Sequence, residues 1–169
     1  MRRIIGAVAM ATLVGVGLGA LPAAGLDAGG RDRSVEFTGT STFDFGSADC
    51  SFAHQVFDAT LETRRGATLD IEGCVELIDA TTFPFAGTFT IEVGHRAVTG
   101  TVSGSLSTPT TNPCTSGVPA GIDLELTPAA PGRPRNALQL DGIWCSAAVP
   151  GVPGTISGTL TGALLPGVR

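Results

Sequence analysis

The feature that most constrains the fold is an alternation of apolar and polar residues with a period of two. Within residues 68–77, Leu69, Ile71 and Val75 alternate with acidic side chains, and residues 87–93 and 121–127 repeat the pattern. Successive side chains of a β-strand point to opposite sides, so the alternation marks strands with one buried face and one solvent-facing face. Beyond the N-terminal region no segment shows a sustained helical period. The sequence therefore predicts an all-β protein.

Glycine and proline separate the alternating segments at the spacing typical of a sandwich or a barrel. We predict about nine strands, near residues 34–38, 41–45, 55–63, 67–77, 86–93, 97–106, 121–127, 137–145 and 154–164. The segment 55–63 has the weakest pattern, and a helical turn is the alternative there. The expected fold class is an antiparallel sandwich or a small, partly closed barrel of about eight to nine strands.

Two of these segments alternate glycine with aliphatic residues on one face, at residues 98–106 and 154–164. Glycine inside a strand weakens it, because it has no side chain to pack and loses more entropy on folding. Its repeated use is typical of places where backbones approach closely or a sheet bends sharply. A small barrel has both properties.

The stretch from Gly87 to Gly104 has a pattern that also occurs in other proteins. It has Gly-Thr-Phe-Thr-Ile at residues 87–91, a short turn, and then a strand punctuated by glycines. In this it resembles a segment that recurs in small secreted actinobacterial β-proteins of unknown function. The resemblance covers about 18 of the 169 residues, and Gly94-His95-Arg96 stands in place of a double-glycine turn. It implies a β-rich, barrel-like fold and assigns no functional residue.

The N-terminus has the three parts of a secretory signal peptide. A positive start at residues 1–3 precedes an uncharged apolar run at 4–21 and a small-residue exit that ends at Ala28. We expect residues 1–28 to form a signal helix that is cleaved, residues 29–169 to form a single β domain, and the protein to be secreted. An uncleaved anchor is the alternative, because the apolar run is just long enough to span a bilayer. If the signal peptide is cleaved, we expect the protein to contact the membrane only through that peptide, before cleavage.

The net charge of the mature chain limits the classes of partner that it is expected to bind. The 10 basic and 15 acidic residues become 8 and 14 once Arg2, Arg3 and Asp27 are removed, which leaves a net charge of −6. An acidic surface disfavours nucleic acid. We expect a monomer that binds an unknown small molecule, a glycan or a cell-surface protein. Every basic residue is an arginine, a bias typical of GC-rich, actinobacterial genomes.

Four cysteines, Cys50, Cys74, Cys114 and Cys145, all lie in the predicted mature chain. An even number in an exported protein predicts two disulfides, for which three pairings are possible. We favour Cys50–Cys74 and Cys114–Cys145, because neighbours in the sequence close the shorter loops. A zinc site would need closely spaced Cys or His pairs, which the sequence lacks. No metal and no cofactor is expected.

No catalytic motif is present, and the Gly-x-Ser-x-Gly elbow of esterases is absent. The candidate ligand-binding residues are Trp144, His54 and His95. Core packing is the alternative role of Trp144. We therefore expect a secreted, non-enzymatic binding or structural module. The alternatives are a secreted hydrolase, with a histidine in a cleft, and a protease inhibitor that presents the loop 108–120 braced by Cys114.

Overall fold

The protein is a closed barrel of eight antiparallel strands in the computed structural model, which describes residues 33–79, 81–129 and 137–162. The strands are β1 (Arg33–Phe45), β2 (Ala53–Leu61), β3 (Ala67–Val75), β4 (Thr82–Val93), β5 (Arg96–Ser107), β6 (Val118–Pro128), β7 (Leu138–Ser146) and β8 (Gly154–Gly162). Each strand pairs with the next in sequence, and β8 returns to pair with β1. This up-and-down arrangement leaves no free sheet edge.

The structure confirms the all-β prediction and corrects three details. The strands predicted at 34–38 and 41–45 are one continuous strand, β1. Residues 53–61 form β2, so the alternative of a helical turn is wrong there. The sheet closes completely on itself, so of the two predicted architectures the barrel is confirmed, and its closure is complete where partial closure was expected. Gly39, which falls between the two predicted strands, lies in the middle of β1, where its hydrogen points at the backbone of Asp58.

The closing register places Arg33 opposite Gly162 and Ser41 opposite Gly154. The two ends of the barrel are therefore different. The terminal end holds the beginning of β1, the end of β8, the β2–β3 and β4–β5 connections, the end of β6 and the beginning of β7. The disulfide end holds the other connections, at residues 46–52, 76–81, 108–117 and 147–153.

The core fills the middle of the barrel and the half near the terminal end. Its most deeply buried large side chains are Phe37, Leu61, Leu69, Ile71, Phe89, Leu124, Leu126 and Leu160. Full burial of each such side chain stabilises the fold by about 1.5–3 kcal/mol relative to exposure. The central void has a volume of only about 10 Å³. That is too little for more than a single water, so this half is packed solid.

Inward-facing glycines allow neighbouring strands to approach closely, as the alternation of glycine and aliphatic residues predicts. Gly73 of β3 lies opposite Gly87 of β4, and Gly142 of β7 lies opposite Gly158 of β8. A Cβ on Gly87 would lie 2.6 Å from the Cα of Gly73, and a Cβ on Gly158 would lie 2.6 Å from the Cα of Gly142. Any side chain there would force the strands apart, so glycine is required for this barrel shape.

Both predicted disulfides are confirmed. Cys50–Cys74 joins the loop 46–52 to β3, and Cys114–Cys145 joins the loop 108–117 to β7. Both therefore tie a loop of the disulfide end to a strand that continues into the core. The two disulfides are consistent with an extracellular protein.

The predicted signal peptide lies outside the described residues. Among the residues that the structure describes, no helix has the length and hydropathy needed to cross a bilayer.

Candidate functional site

A cavity of about 390 Å³ opens at the disulfide end, and we call it the cup. Its walls come from inward-facing positions near the ends of the strands and from the adjoining loops. The residues that line it are Phe43, Phe45, Phe52, Ala53, Gln55, Val75, Phe83, Leu106, Ser107, Thr108, Val118, Pro119, Ala120, Trp144, Ser146 and Ala148. An eight-stranded barrel is wide enough either to be filled by side chains or to hold one small ligand. This barrel is filled by side chains in one half and leaves an open cavity in the other.

The cup exists because the inward residues are smaller at this end of several strands. Along β2 the inward residue changes from Leu61 at the terminal end to Ala53 at the disulfide end. Along β6 it changes from Leu126 to Ala120, which lines the cup. The strands keep their alternation throughout, so the space arises from side-chain size and not from a change in the backbone pattern.

Aromatic rings form a continuous chain around the cup. Trp144 contacts Phe43 edge to face, with ring centroids 5.6 Å apart, and Phe43 contacts Phe45 at 5.2 Å. Phe45 contacts Phe52 at 5.2 Å, and Phe52 stacks on Phe83 at 6.4 Å. The chain has eight Phe and one Trp, so five of its nine aromatic side chains lie in this wall. Edge-to-face pairs of this kind hold one another in place and form a rigid apolar surface.

A small polar group lies at the floor of the cup. Gln55 and Ser41 are both only 1 % exposed. Gln55 Nε2 donates a hydrogen bond to Ser41 Oγ, and Ser41 Oγ donates to the backbone carbonyl oxygen of Val56 at 2.8 Å. Gln55 stands between Ala53 in the cup wall and Phe57 in the packed core. It therefore marks the boundary between the open and the filled half.

Exposed apolar side chains gather at the end of the barrel where the cup opens. Within the described ranges, all the large apolar side chains that are exposed lie at the disulfide end: Phe45, Leu77, Ile78, Val118, Val149 and Val152. We call this set the apolar rim. Two of them, Phe45 and Val118, also line the cup, and exposed apolar surface at the edge of a cavity is typical of a site that receives a ligand or a partner.

The loops around the mouth are held by covalent and hydrogen bonds. Cys145 bonds the loop 108–117 to β7 beside Trp144. The backbone N–H of Gly151 donates to the carbonyl oxygen of Phe43 at 2.8 Å, which ties the loop 147–153 to β1. Asp79 Oδ1 accepts hydrogen bonds from the Thr81 and Thr82 backbone amides, at 2.7 Å each. These bonds to the charged form lower the pKa of the Asp79 carboxyl.

The structure brings one of the three candidate ligand-binding residues to the cup. Trp144 is 8 % exposed and lines the cup, where its ring packs against Phe43. His54 lies on the outer face of β2, where its Nε2 is 3.0 Å from Glu72 Oε1. His95 is exposed in the β4–β5 turn at the terminal end. Neither histidine lines the cup.

Gln55 and the four phenylalanines of the cup wall are site residues that the sequence analysis did not identify. One signal in the sequence pointed to Gln55. It is the polar member of the inward face Ala53, Gln55, Phe57, Ala59 and Leu61. A polar residue on an otherwise apolar face of a strand indicates a buried hydrogen bond or a ligand contact.

The cup carries no charge. None of its lining residues is ionisable. Among the residues that the structure describes, no group of His, Cys, Asp and Glu side chains is arranged to hold a metal ion. Its chemistry is therefore that of an apolar container with a few uncharged polar groups.

Comparison with other proteins gives no relative: no family model, no curated protein and no solved structure matches this chain.

Proposed function

We propose that this protein is a secreted, non-enzymatic binding protein that holds a small, uncharged, mostly apolar molecule in the cup. The observation that carries the proposal is the cavity of about 390 Å³ walled by five aromatic side chains above a solid core. Ligand sites are typically concave and largely apolar, with volumes of about 300–1,000 Å³ and a few placed polar groups. The cup meets each part of that description.

The lining restricts the chemistry of the ligand. At about 30 Å³ per water, the cup has room for about a dozen waters. Their release from aromatic walls favours the binding of an apolar molecule. A charged ligand group would lose its hydration without meeting an opposite charge, which is costly. A glycan would bring many hydroxyls to a wall with few polar partners. A small apolar molecule is therefore the partner that we favour among those predicted.

The two alternatives have less support in the cup. A hydrolase of the Ser-His-Asp type needs a histidine in its cleft, and neither His54 nor His95 lines the cup. The protease-inhibitor alternative stays a prediction, because the exposed loop 108–117 is held by Cys114 as it requires. Assay against a panel of proteases tests that alternative directly.

Fluorescence offers a direct test of the proposal, because Trp144 is the single tryptophan of the chain. The oxidised protein is titrated with N-phenyl-1-naphthylamine, a neutral apolar fluorophore. Binding in the cup is expected to quench the Trp144 emission while the emission of the fluorophore rises. No change in either emission up to the solubility limit of the fluorophore would contradict the proposal.

A matched pair of variants locates the binding. Ala120→Leu adds bulk to the cup wall, whereas Ala86→Leu adds the same bulk on the exposed outer face of β4. We expect Ala120→Leu to weaken binding about tenfold, because the larger side chain occupies ligand space. Ala86→Leu is expected to leave the affinity unchanged. Equal weakening by both variants would place the fluorophore elsewhere.

A further inference from the structure

The floor of the cup presents a hydrogen-bond acceptor, and its identity follows from the contacts of Ser41. A serine hydroxyl has one proton to donate. Ser41 Oγ donates that proton to the carbonyl oxygen of Val56 at 2.8 Å. Its bond with Gln55 must therefore be one in which Ser41 accepts. This fixes the orientation of the Gln55 amide, with Nε2 toward Ser41 and the carbonyl oxygen Oε1 directed away from it.

Gln55 Oε1 has no hydrogen-bond donor among the described residues. In that part of the chain, the enclosed side-chain polar atoms that lack a partner are Thr63 Oγ1 and Trp144 Nε1. Gln55 Oε1 is not one of them, so it borders accessible space to a small extent, within the 1 % exposure of the residue. Because Gln55 lines the cup and its side chain is otherwise buried, that space is the cup.

The other polar side chains that line the cup do not change the acceptor character of its floor. Trp144 Nε1 is enclosed and lies against Gly154, so it is turned away from a ligand. Ser146 Oγ accepts a hydrogen bond from the Ala148 backbone at 2.9 Å and lies at the end of β7, toward the mouth and away from the floor. Ser107 and Thr108 lie at the end of β5 and in the loop that follows it, toward the mouth. At its deepest point the ligand meets an uncharged acceptor within apolar walls.

We propose that the ligand carries an uncharged hydrogen-bond donor, in the simplest case a hydroxyl, which it directs at Gln55 Oε1 while its apolar body lies against the aromatic wall. The inference rests on the function proposed above and names the class of ligand: an apolar alcohol or phenol. A hydrocarbon or an ether leaves Oε1 unsatisfied. A carboxylate brings a second acceptor and a charge to the same point, and both are unfavourable.

The test uses 1-decanol, methyl nonyl ether, decane and decanoate, with the Trp144 emission as the readout. One net hydrogen bond is worth about three- to tenfold in affinity. We expect 1-decanol to bind more tightly than the ether by that factor and decanoate to bind most weakly. The Gln55→Leu variant is expected to lose the preference for the alcohol and to keep its affinity for the ether.

Matched control variants separate a role of Gln55 in ligand recognition from a role in the structure of the barrel. Gln139 is the other glutamine of the chain, and its side chain donates to Asp123 on the outer surface. Gln139→Leu is expected to retain the preference for the alcohol. Gln55→Met is close to glutamine in shape and is the second test if Gln55→Leu does not fold. Ser41→Ala removes the group that orients the amide, and we expect it to reduce the preference.

The outcomes distinguish the two proposals. Equal binding of 1-decanol and the ether by the unaltered protein would overturn the hydroxyl inference and leave the binding function intact. A preference for 1-decanol over the ether that persists in Gln55→Leu would likewise overturn the hydroxyl inference and leave the binding function intact. Failure of all four molecules and of N-phenyl-1-naphthylamine to change the Trp144 emission would overturn the binding function itself.

Discussion

The two halves of the barrel are made by the same eight strands, yet one is solid and the other is open. Near the terminal end the inward positions carry large residues such as Phe89, Leu126 and Leu160, each at most 2 % exposed. Near the disulfide end they include Ala53 and Ala120. The alternation of the strands is the same in both. The backbone alternation builds the barrel, whereas small inward residues on some strands, such as Ala53 on β2 and Ala120 on β6, leave the open space beside the aromatic wall.

The largest expected effect is on the free energy of unfolding, which should fall much more when a phenylalanine is removed from the solid half than from the open half. Phe89 packs in the solid half over Gly100, whereas Phe45 lies in the cup wall and is 50 % exposed. Phe89→Ala leaves a cavity in a packed core and is expected to lower the free energy of unfolding by about 3–5 kcal/mol. Phe45→Ala is expected to cost about 1 kcal/mol, because half of its surface is already in water. Guanidinium denaturation measures the free energy of unfolding of both variants. Equal losses would contradict the contrast between a packed half and an open half.

The disulfides test how far the open half depends on covalent support. The bridges span 24 and 31 residues, and in the chain-entropy view each stabilises the fold by about 3–4 kcal/mol. The double variant Cys114→Ser with Cys145→Ser is expected to lose about that much and to shift the Trp144 emission to the red, because Cys145 is adjacent to Trp144. The double variant Cys50→Ser with Cys74→Ser serves as the comparison. It is expected to show a similar loss of stability with a smaller shift, and the reverse order of shifts would refute the account.

The smallest effect concerns the outer surface. In the solid half Asp70 lies opposite Asp58, and its pKa is raised by partial burial and then by repulsion from Asp58 and Glu92. In the folded state the charged form is therefore disfavoured, so Asp70 reduces stability at neutral pH and ceases to do so as pH falls and it protonates. Asp70→Asn is expected to stabilise the protein by a few tenths of a kcal/mol at pH 7.

Thermal unfolding at pH 7 and again in acid checks this sign. The gain from Asp70→Asn should disappear in acid, where the carboxyl of the unaltered protein is neutral as well. Glu72→Gln is the control on the same strand, since Glu72 pairs with His54 near the open half and is 68 % exposed. That variant is expected to bring no gain at pH 7. A gain from Asp70→Asn that persists in acid would show that charge is not its cause.

Much of the fold could be predicted from local pattern. The alternation predicted the strands, and short loop closure predicted both disulfide pairs. The pairing of β8 with β1 could not be predicted in this way, because it joins residues at the two ends of the domain and leaves no local trace. The break expected between residues 38 and 41 was wrong for a related reason. Glycine is typical of a turn, but here it allows β1 to pass close to Asp58 without interruption.

The site was less predictable than the fold. Trp144 was identified as a candidate because it is a large aromatic residue on a predicted strand. The other walls of the cup come from phenylalanines on separate strands and loops, such as Phe43, Phe52 and Phe83. An apolar residue facing a cavity has the same sequence pattern as one facing a core. Only the summed volumes around the closed barrel show where space remains.

The position of the termini has a practical consequence. β1 begins at Arg33 and β8 ends at Gly162, directly opposite one another and at the end away from the cup. A tag, a surface linker or a fused domain joined directly at either of these strand ends would leave the mouth facing outward. The proximity of these ends also makes the barrel a candidate for circular permutation, with new termini placed in the β2–β3 turn so that the disulfide-braced mouth stays intact. With the binding function proposed above, this geometry would suit immobilised capture of apolar molecules, with Trp144 as the reporter.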